Sequence, residues 1–292
     1  MSATLTVFRD AGEFLRTAAD FLKSAPAATS MIAMPAARML RAPNDDDAGI
    51  YLATVTNDGS VVAAVCHGNS GGALLSTAPD AAVLLIARDM AARGRRPDSV
   101  VAPLRECGIF ARAWRDSTGA SPSQRFQLRH FELTSMPAAG ESAGRLRAPH
   151  ADEHALIASW HLAFIEDTGI PDDPERVLRH LERRISRGLI RVWDVAVTGA
   201  ARDVRELVCF AGFSVDHDTA RIAPVYTPPA LRGRGYATAM VAELARELFA
   251  AGKHAIHLTT DVANPTSNGI YQRIGFRPVV DHFHFDFAYP PA

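Results

Sequence analysis

The sequence predicts an α/β protein of two consecutive domains, each a mixed sheet flanked by helices. Three observations predict it. Strand-like segments alternate with amphipathic helical ones along the whole chain. A length of 292 residues suits two ordinary domains. A break in apolar periodicity over residues 135–149, where Pro137, Gly140, Gly144 and Pro149 intervene, separates the halves. The expected division is residues 1–140 and 145–292.

In the first half, Phe14, Leu15, Ala18, Phe21 and Leu22 share one face of a helix over residues 11–23. Residues 51–56 and 61–66 read as strands joined through Asn57, Asp58 and Gly59, a strong hairpin signal. A strand at 73–76, a helix at 81–92, a strand at 100–103, a helix at 106–116 and a strand at 125–133 follow. None of them carries a phosphate loop or a catalytic constellation. The second half opens with helices at 152–164 and 174–186, then strands at 191–197, 206–215 and 221–226. A glycine-rich loop comes next, followed by a helix at 236–251, a strand at 255–260, a short helix at 265–273 and strand-like residues 276–287.

Bulk properties exclude several classes. Hydrophobic residues make up 48% and charged residues 22%, as in an average soluble domain. The net charge of −1 gives no signature of nucleic-acid or membrane-surface binding. No apolar run approaches the ~20 residues of a membrane helix, and the N-terminus does not resemble a signal peptide. Cys66, Cys107 and Cys209 are widely spaced and odd in number, which argues for reduced thiols. The expected location is cytoplasmic. Lys23 and Lys253 are the only lysines among 31 basic residues, a bias that hints at a GC-rich bacterial origin.

The loop reads Arg232, Gly233, Arg234, Gly235, Tyr236, Ala237, Thr238. Two glycines let backbone approach a bulky anion, and the free N–H groups of a helix start would face it. Arg232 and Arg234 add positive charge. Alone, this is equally a glycine-rich turn with solvated arginines. A dinucleotide fingerprint would need a small residue at Thr238 and an acid near Lys253, and a Walker loop would need Gly-Lys-Ser/Thr. Some thirty residues later Asn264, Ser267 and Tyr271 recur at i, i+3, i+7, one face of a helix that starts at Pro265 and ends by Gly275. That polar stripe, too, could by itself be merely solvated.

Together the two motifs resemble the GNAT N-acyltransferase superfamily. Its Arg/Gln-x-x-Gly-x-Gly/Ala pattern is matched by Arg232, Gly235 and Ala237. Its later pattern is matched by Asn264, Ser267, Tyr271, Gly275 and Phe276. The resemblance covers about residues 145–287. The longer string from Val225 through Ala237, with Asp261 to Asn268, is similar to predicted bacterial acetyltransferases in which a degenerate GNAT-like half precedes the active one. Tandem GNAT-like mixed-sheet domains are therefore implied, with the active one at the C-terminus. The implied donor is acetyl-CoA, and the implied acceptor an amine of a small molecule or peptide. Val225, Tyr226 and Thr227 would line the pantetheine arm. Backbone amides of Arg232, Gly233, Arg234, Gly235, Tyr236, Ala237 and Thr238 would hold the pyrophosphate. Asn264 and Ser267 would lie along the arm, and Tyr271 would reach the sulfur as the general acid. Pro228 and Pro229 shape the loop start without touching the motif. An acyl-CoA-binding sensor with little catalysis is the alternative. The N-terminal half could also serve to bind a partner or close the acceptor site.

Weaker signals stand beside these. Asp261, the acid nearest the motif, is a candidate for a base but fits better an acid that orders a loop; Glu166 and Asp167 follow the first helix of this half, where the resemblance implies the acceptor site, and could equally be surface acids. His282, His284 and Asp286 alternate on the last strand and share a face; they suit a structural role or an acceptor border better than a metal site. Arg176, Arg179, Arg183 and Arg187, interleaved with Glu175 and Glu182, fit a solvated helix face better than recognition of an acidic acceptor or a CoA phosphate, and Trp160 and Phe164 fit core contacts. The oligomeric expectation is monomer or homodimer.

Overall fold

The computed structural model describes residues 3–41, 49–68, 71–138, 143–169, 173–197 and 204–291. Gly140 of the expected linker lies outside them. The chain divides into two compact units. One comprises Met1–Phe131, Thr259–Pro265 and Pro278–Ala292; the other comprises Glu132–Leu258 and Thr266–Arg277.

The first unit runs β1 (Thr4–Phe8), α1 (Ala11–Thr17), α2 (Ala19–Ser24), α3 (Pro26–Arg41), β2 (Tyr51–Asn57), β3 (Ser60–His67), β4 (Gly72–Leu75), α4 (Asp80–Ala92), β5 (Ser99–Pro103), α5 (Leu104–Thr118) and β6 (Ser121–Leu133). The helix expected over residues 11–23 is broken at Ala18, and β1 and α3 were not anticipated. α3 holds Pro35 in its interior, a poor helix signal, yet it buries Ile32 and Ala36. Asp58 and Gly59 both have positive φ, 49° and 81°, the geometry of the tight hairpin turn expected between β2 and β3.

β2 shows why this sheet is covered on both faces. Tyr51, Ala53 and Val55 join a core with Ile86, Phe110 and Trp114 from α4 and α5. Leu52, between them, joins a second core with Phe14 and Ile32 from α1 and α3. Alternation of side chains thus places each set under its own helices. The sheet order here is β1-β2-β3-β4-β5-β12-β6. Its sixth member, β12 (Arg277–Ala288), is the last strand of the chain and pairs antiparallel with β5. Phe287 of β12 packs in the core with Phe110 and Trp114.

The second unit contains β7 (Arg145–Arg147), α6 (His154–Thr168), α7 (Pro174–Ser186), β8 (Ile190–Ala196), β9 (Arg205–Val215), β10 (Thr219–Tyr226), α8 (Tyr236–Ala250), β11 (Ala255–Asp261) and α9 (Pro265–Ile274). Its sheet order is β11-β10-β9-β8-β7, with β10 parallel to β11 and the other pairs antiparallel. Ile157 and Leu181 of α6 and α7 pack on Ile190, Val192, Phe210 and Tyr226. Trp160 and Phe164 are partly buried against this cluster, as expected of core contacts. Among the described residues no helix is long and apolar enough to cross a membrane.

Asp194 on β8 is 1% exposed and is held by Arg147, Arg205 and Arg145 at 2.6, 2.6 and 3.1 Å. Burial alone would raise its pKa; hydrogen bonds from Arg147 and Arg205 outweigh burial and hold it below 3.8. Asp194→Ala is expected to destabilise the chain by about 3 kcal/mol, because it strands a partly buried arginine cluster. Denaturant unfolding measures this. Since the folded pKa is depressed, the stabilisation is complete above the ordinary value and is lost as pH falls through the lowered one. The difference from wild type should therefore shrink in acid.

Candidate active site

The expected phosphate loop sits where β10 hands over to α8. Gly233 and Gly235 both have positive φ, 77° and 80°, and a Cβ on either would meet open space. The backbone conformation, rather than crowding, is what calls for glycine here. Gly235 is the N-cap of α8, and no side chain caps the helix. Ala239 makes the first helical bond, to the Gly235 carbonyl at 3.0 Å. The amides of Tyr236, Ala237 and Thr238 therefore have no acceptor within their own helix. They combine with the positive end of the helix dipole and an open approach, so the residues present suit an anion.

The two loop arginines do different things. Arg232 donates through Nε to the Thr227 carbonyl at 2.9 Å, through Nη2 to Asp167 at the end of α6, and stands 5.6 Å from the Tyr226 ring centre. It ties the loop to β10 and α6, so Asp167 is engaged with a cation. Arg234 is exposed and makes one long contact, 3.4 Å, to the Ala230 carbonyl.

β10 carries the second element. It pairs with β11 only through Thr219, Ala220 and Arg221, whereas pairing with β9 continues to Val225 and Tyr226 after a shift in register. Among the described residues, no ladder covers the other edge of Val225 and Tyr226. That edge is available to an extended arm. Just past the strand, the Thr227 hydroxyl donates to Cys209 Sγ at 3.2 Å. Cys209 is wholly buried, and its thiol is pushed up to about 12 by burial.

Tyr271 is half-buried on α9, edge-on to Phe276 with ring centres 6.0 Å apart. Burial, with Cys209 beside it, pushes the phenol up to about 12. It is therefore a protonated donor at neutral pH. Asn264 is exposed just before α9, and Ser267 is half-buried in its first turn. The Asp261 carboxylate accepts from Ala263 N at 2.8 Å, so it orders the turn leading to that helix.

The histidines of β12 belong elsewhere. His282 lies against the His130 ring at 4.3 Å, and His284 against Phe126 at 4.5 Å while it contacts Asp286 at 3.0 Å. All of these residues lie in the first unit. Among the described residues no group of three or more His, Cys, Asp or Glu could hold a metal ion. Of the arginines expected to line a helix face, Arg179 pairs with Glu175 at 3.6 Å. Sequence reasoning missed the placement of Cys209 under Thr227, because residues on separate strands give no shared spacing.

A splayed β10, an uncapped glycine turn at a helix start and a half-buried tyrosine thus lie in one unit, the GNAT-like arrangement expected from the sequence. Residues 158–276 match the model of the Acetyltransferase (GNAT) family, and this part of the chain is a GNAT acetyltransferase domain. No curated protein matches the chain in sequence. Solved structures share the fold over nearly the whole length. A GCN5-related N-acetyltransferase from Sphaerobacter thermophilus is 17% identical, with a TM-score of 0.63 over 99% of this chain and 97% of its own. A tandem GNAT protein from the clavulanic acid biosynthesis pathway is 14% identical, with a TM-score of 0.59 over 100% of both chains. A GNAT-family acetyltransferase from Colwellia psychrerythraea is 11% identical, with a TM-score of 0.56 over 98% of this chain and 100% of its own. The tandem GNAT-like architecture expected from the sequence is the one the chain has.

Proposed function

We propose that the chain transfers an acetyl group from acetyl-CoA to the amine of a small molecule or peptide, without a covalent enzyme intermediate. Acetyl-CoA supplies a thioester, which the neutral amine attacks as the carbon–sulfur bond breaks. Val225, Tyr226 and Thr227 line the pantetheine arm along the unpaired strand edge. The amides from Arg232 to Thr238 receive the pyrophosphate, with Arg234 as the exposed cation beside it. Asn264 and Ser267 flank the arm. Tyr271 gives its phenolic proton to the departing sulfur; with the phenol raised to about 12 and a thiol near 8.5 the transfer runs uphill, and the proton that the attacking amine loses as the amide forms restores the phenol. One observation carries this reading: an uncapped α8 start and a half-buried, protonated Tyr271 occur together within the residues that match the GNAT family. A thiol-release assay with acetyl-CoA across amines, amino acids, polyamines and peptides tests it. A chain that binds acetyl-CoA yet shows no amine-dependent thiol release with any of these acceptors would be the sensor instead.

We assign a non-catalytic role to the N-terminal half. Its comparable strand–helix junction, β4 to α4, has no glycine between Leu75 and Asp80. Its Ala78 amide donates to the buried Glu106 carboxylate at 3.2 Å, so the chain supplies its own anion there. Calorimetric titration is expected to show one CoA bound per chain; two equivalent sites would refute this assignment.

A further inference from the structure

The strand edge proposed for the pantetheine arm has a support of its own. β10 is paired with β11 as far as Arg221, opposite His257, and parts from it there. At the same point its register with β9 shifts. Ile222 stands opposite Phe213 and Val225 opposite Ala211, so three steps along β10 match two along β9. One extra residue on β10 makes a β-bulge, which bends the strand and disrupts the ladder locally. Pro224 lies within it and has no amide proton to give. A carbonyl displaced from the ladder beside it needs another donor.

Arg184 is that donor. It stands in the last turn of α7, and its Nη1 donates to the Ala223 carbonyl at 2.5 Å. α7 is anchored over this face of the sheet, where Leu181 and Ile185 pack with Phe210 and Tyr226. Gly212, two residues beyond Phe210 on β9, shares that face and lies under the guanidinium. A Cβ there would stand 2.8 Å from Arg184 Nη1, 2.9 Å from the Ala223 oxygen and 3.0 Å from Pro224 Cδ. Any larger residue would press on the donor, the carbonyl and the bulge at once. Close approach, rather than backbone conformation, is what calls for glycine here. Drawing the guanidinium inward has a cost, since burial lowers the Arg184 pKa. The carbonyl it holds is two residues, about 7 Å of strand, before Val225, where the open edge lies.

We propose that Arg184 and Gly212 are positioning residues for acyl transfer: together they lock the bulge at Ala223 and Pro224, and so hold the edge of Val225 and Tyr226 in the setting that receives the pantetheine arm. This rests on the acyl-transfer reading above, which identifies the arm. The clamp acts on one end of the cofactor only. The pyrophosphate amides begin at Arg232, whose own side chain ties their loop to the Thr227 carbonyl and to Asp167. Loosening the bulge therefore costs arm binding and spares the diphosphate.

Calorimetric titration of the full chain with acetyl-CoA and with ADP, which carries a diphosphate and no arm, separates the two ends. Arg184→Leu is expected to weaken acetyl-CoA about tenfold and to leave ADP affinity unchanged. Gly212→Ala keeps the arginine but displaces it, and should show the same split. Arg184→Lys should recover part of the loss, because an ammonium still donates to a carbonyl without the planar fork. Equal acetyl-CoA affinity in wild type, Arg184→Leu and Gly212→Ala would overturn the clamp and leave acyl transfer standing. Equal loss of acetyl-CoA and ADP in variants that still unfold cooperatively would overturn it as well, since a general scaffold role weakens both ends alike. If Arg184→Leu does not fold, Gly212→Ala and Arg184→Lys decide the matter. The split is read from binding alone, so it decides the clamp even in a chain that acetylates no amine, a failure that would count against acyl transfer instead.

Discussion

Tyr271→Phe is expected to lower kcat about 100-fold or more while leaving acetyl-CoA affinity nearly unchanged, the usual cost of losing a positioned general acid. The substitution keeps the ring that meets Phe276 edge-on and removes only the proton donor. Without it, sulfur leaves as an unassisted thiolate. Steady-state kinetics beside calorimetric binding separates the two effects. An unchanged kcat would remove Tyr271 from the chemistry. The pH profile offers a second check. Burial pushes the phenol up to about 12, so it stays protonated through the range in which amines lose their protons. Rate should rise with pH as the acceptor deprotonates, with no falling limb from Tyr271 below about pH 10.

Gly235→Asp is expected to weaken CoA binding by about 30-fold and to leave the fold intact. Asp tolerates the left-handed conformation better than most residues and is a favoured N-cap, so α8 should start as before. Its carboxylate would then occupy the amides proposed for the pyrophosphate. Repulsion between charges about 5 Å apart, screened near the surface, costs about 2 kcal/mol. Pantetheine, which lacks the pyrophosphate, should bind the variant and wild type alike. Equal CoA affinity in the two proteins would place the phosphates elsewhere.

The donor side was legible because its parts are local. Gly233 and Gly235 need positive φ, and Tyr236 onward carries a helix with one apolar face; both facts lie within twenty consecutive residues. The Asn264, Ser267 and Tyr271 spacing likewise belongs to one short helix. The role of Arg232 was less legible: its contacts with Thr227 and Asp167 depend on where the end of α6 lies. In the first half the hairpin was read correctly from Asp58 and Gly59. α3 was not anticipated: Pro35 in its interior is a poor helix signal, and burial of Ile32 and Ala36 outweighs that preference.

By itself, then, the sequence determined the α/β class, the GNAT resemblance and the glycine turn that begins α8, since each is written in neighbouring residues and short-range backbone preference. Only the tertiary structure decided that β12 completes the first unit's sheet and that Cys209 sits beneath Thr227. Strand pairing and burial join residues tens of positions apart, and no spacing along the chain encodes which of them will meet.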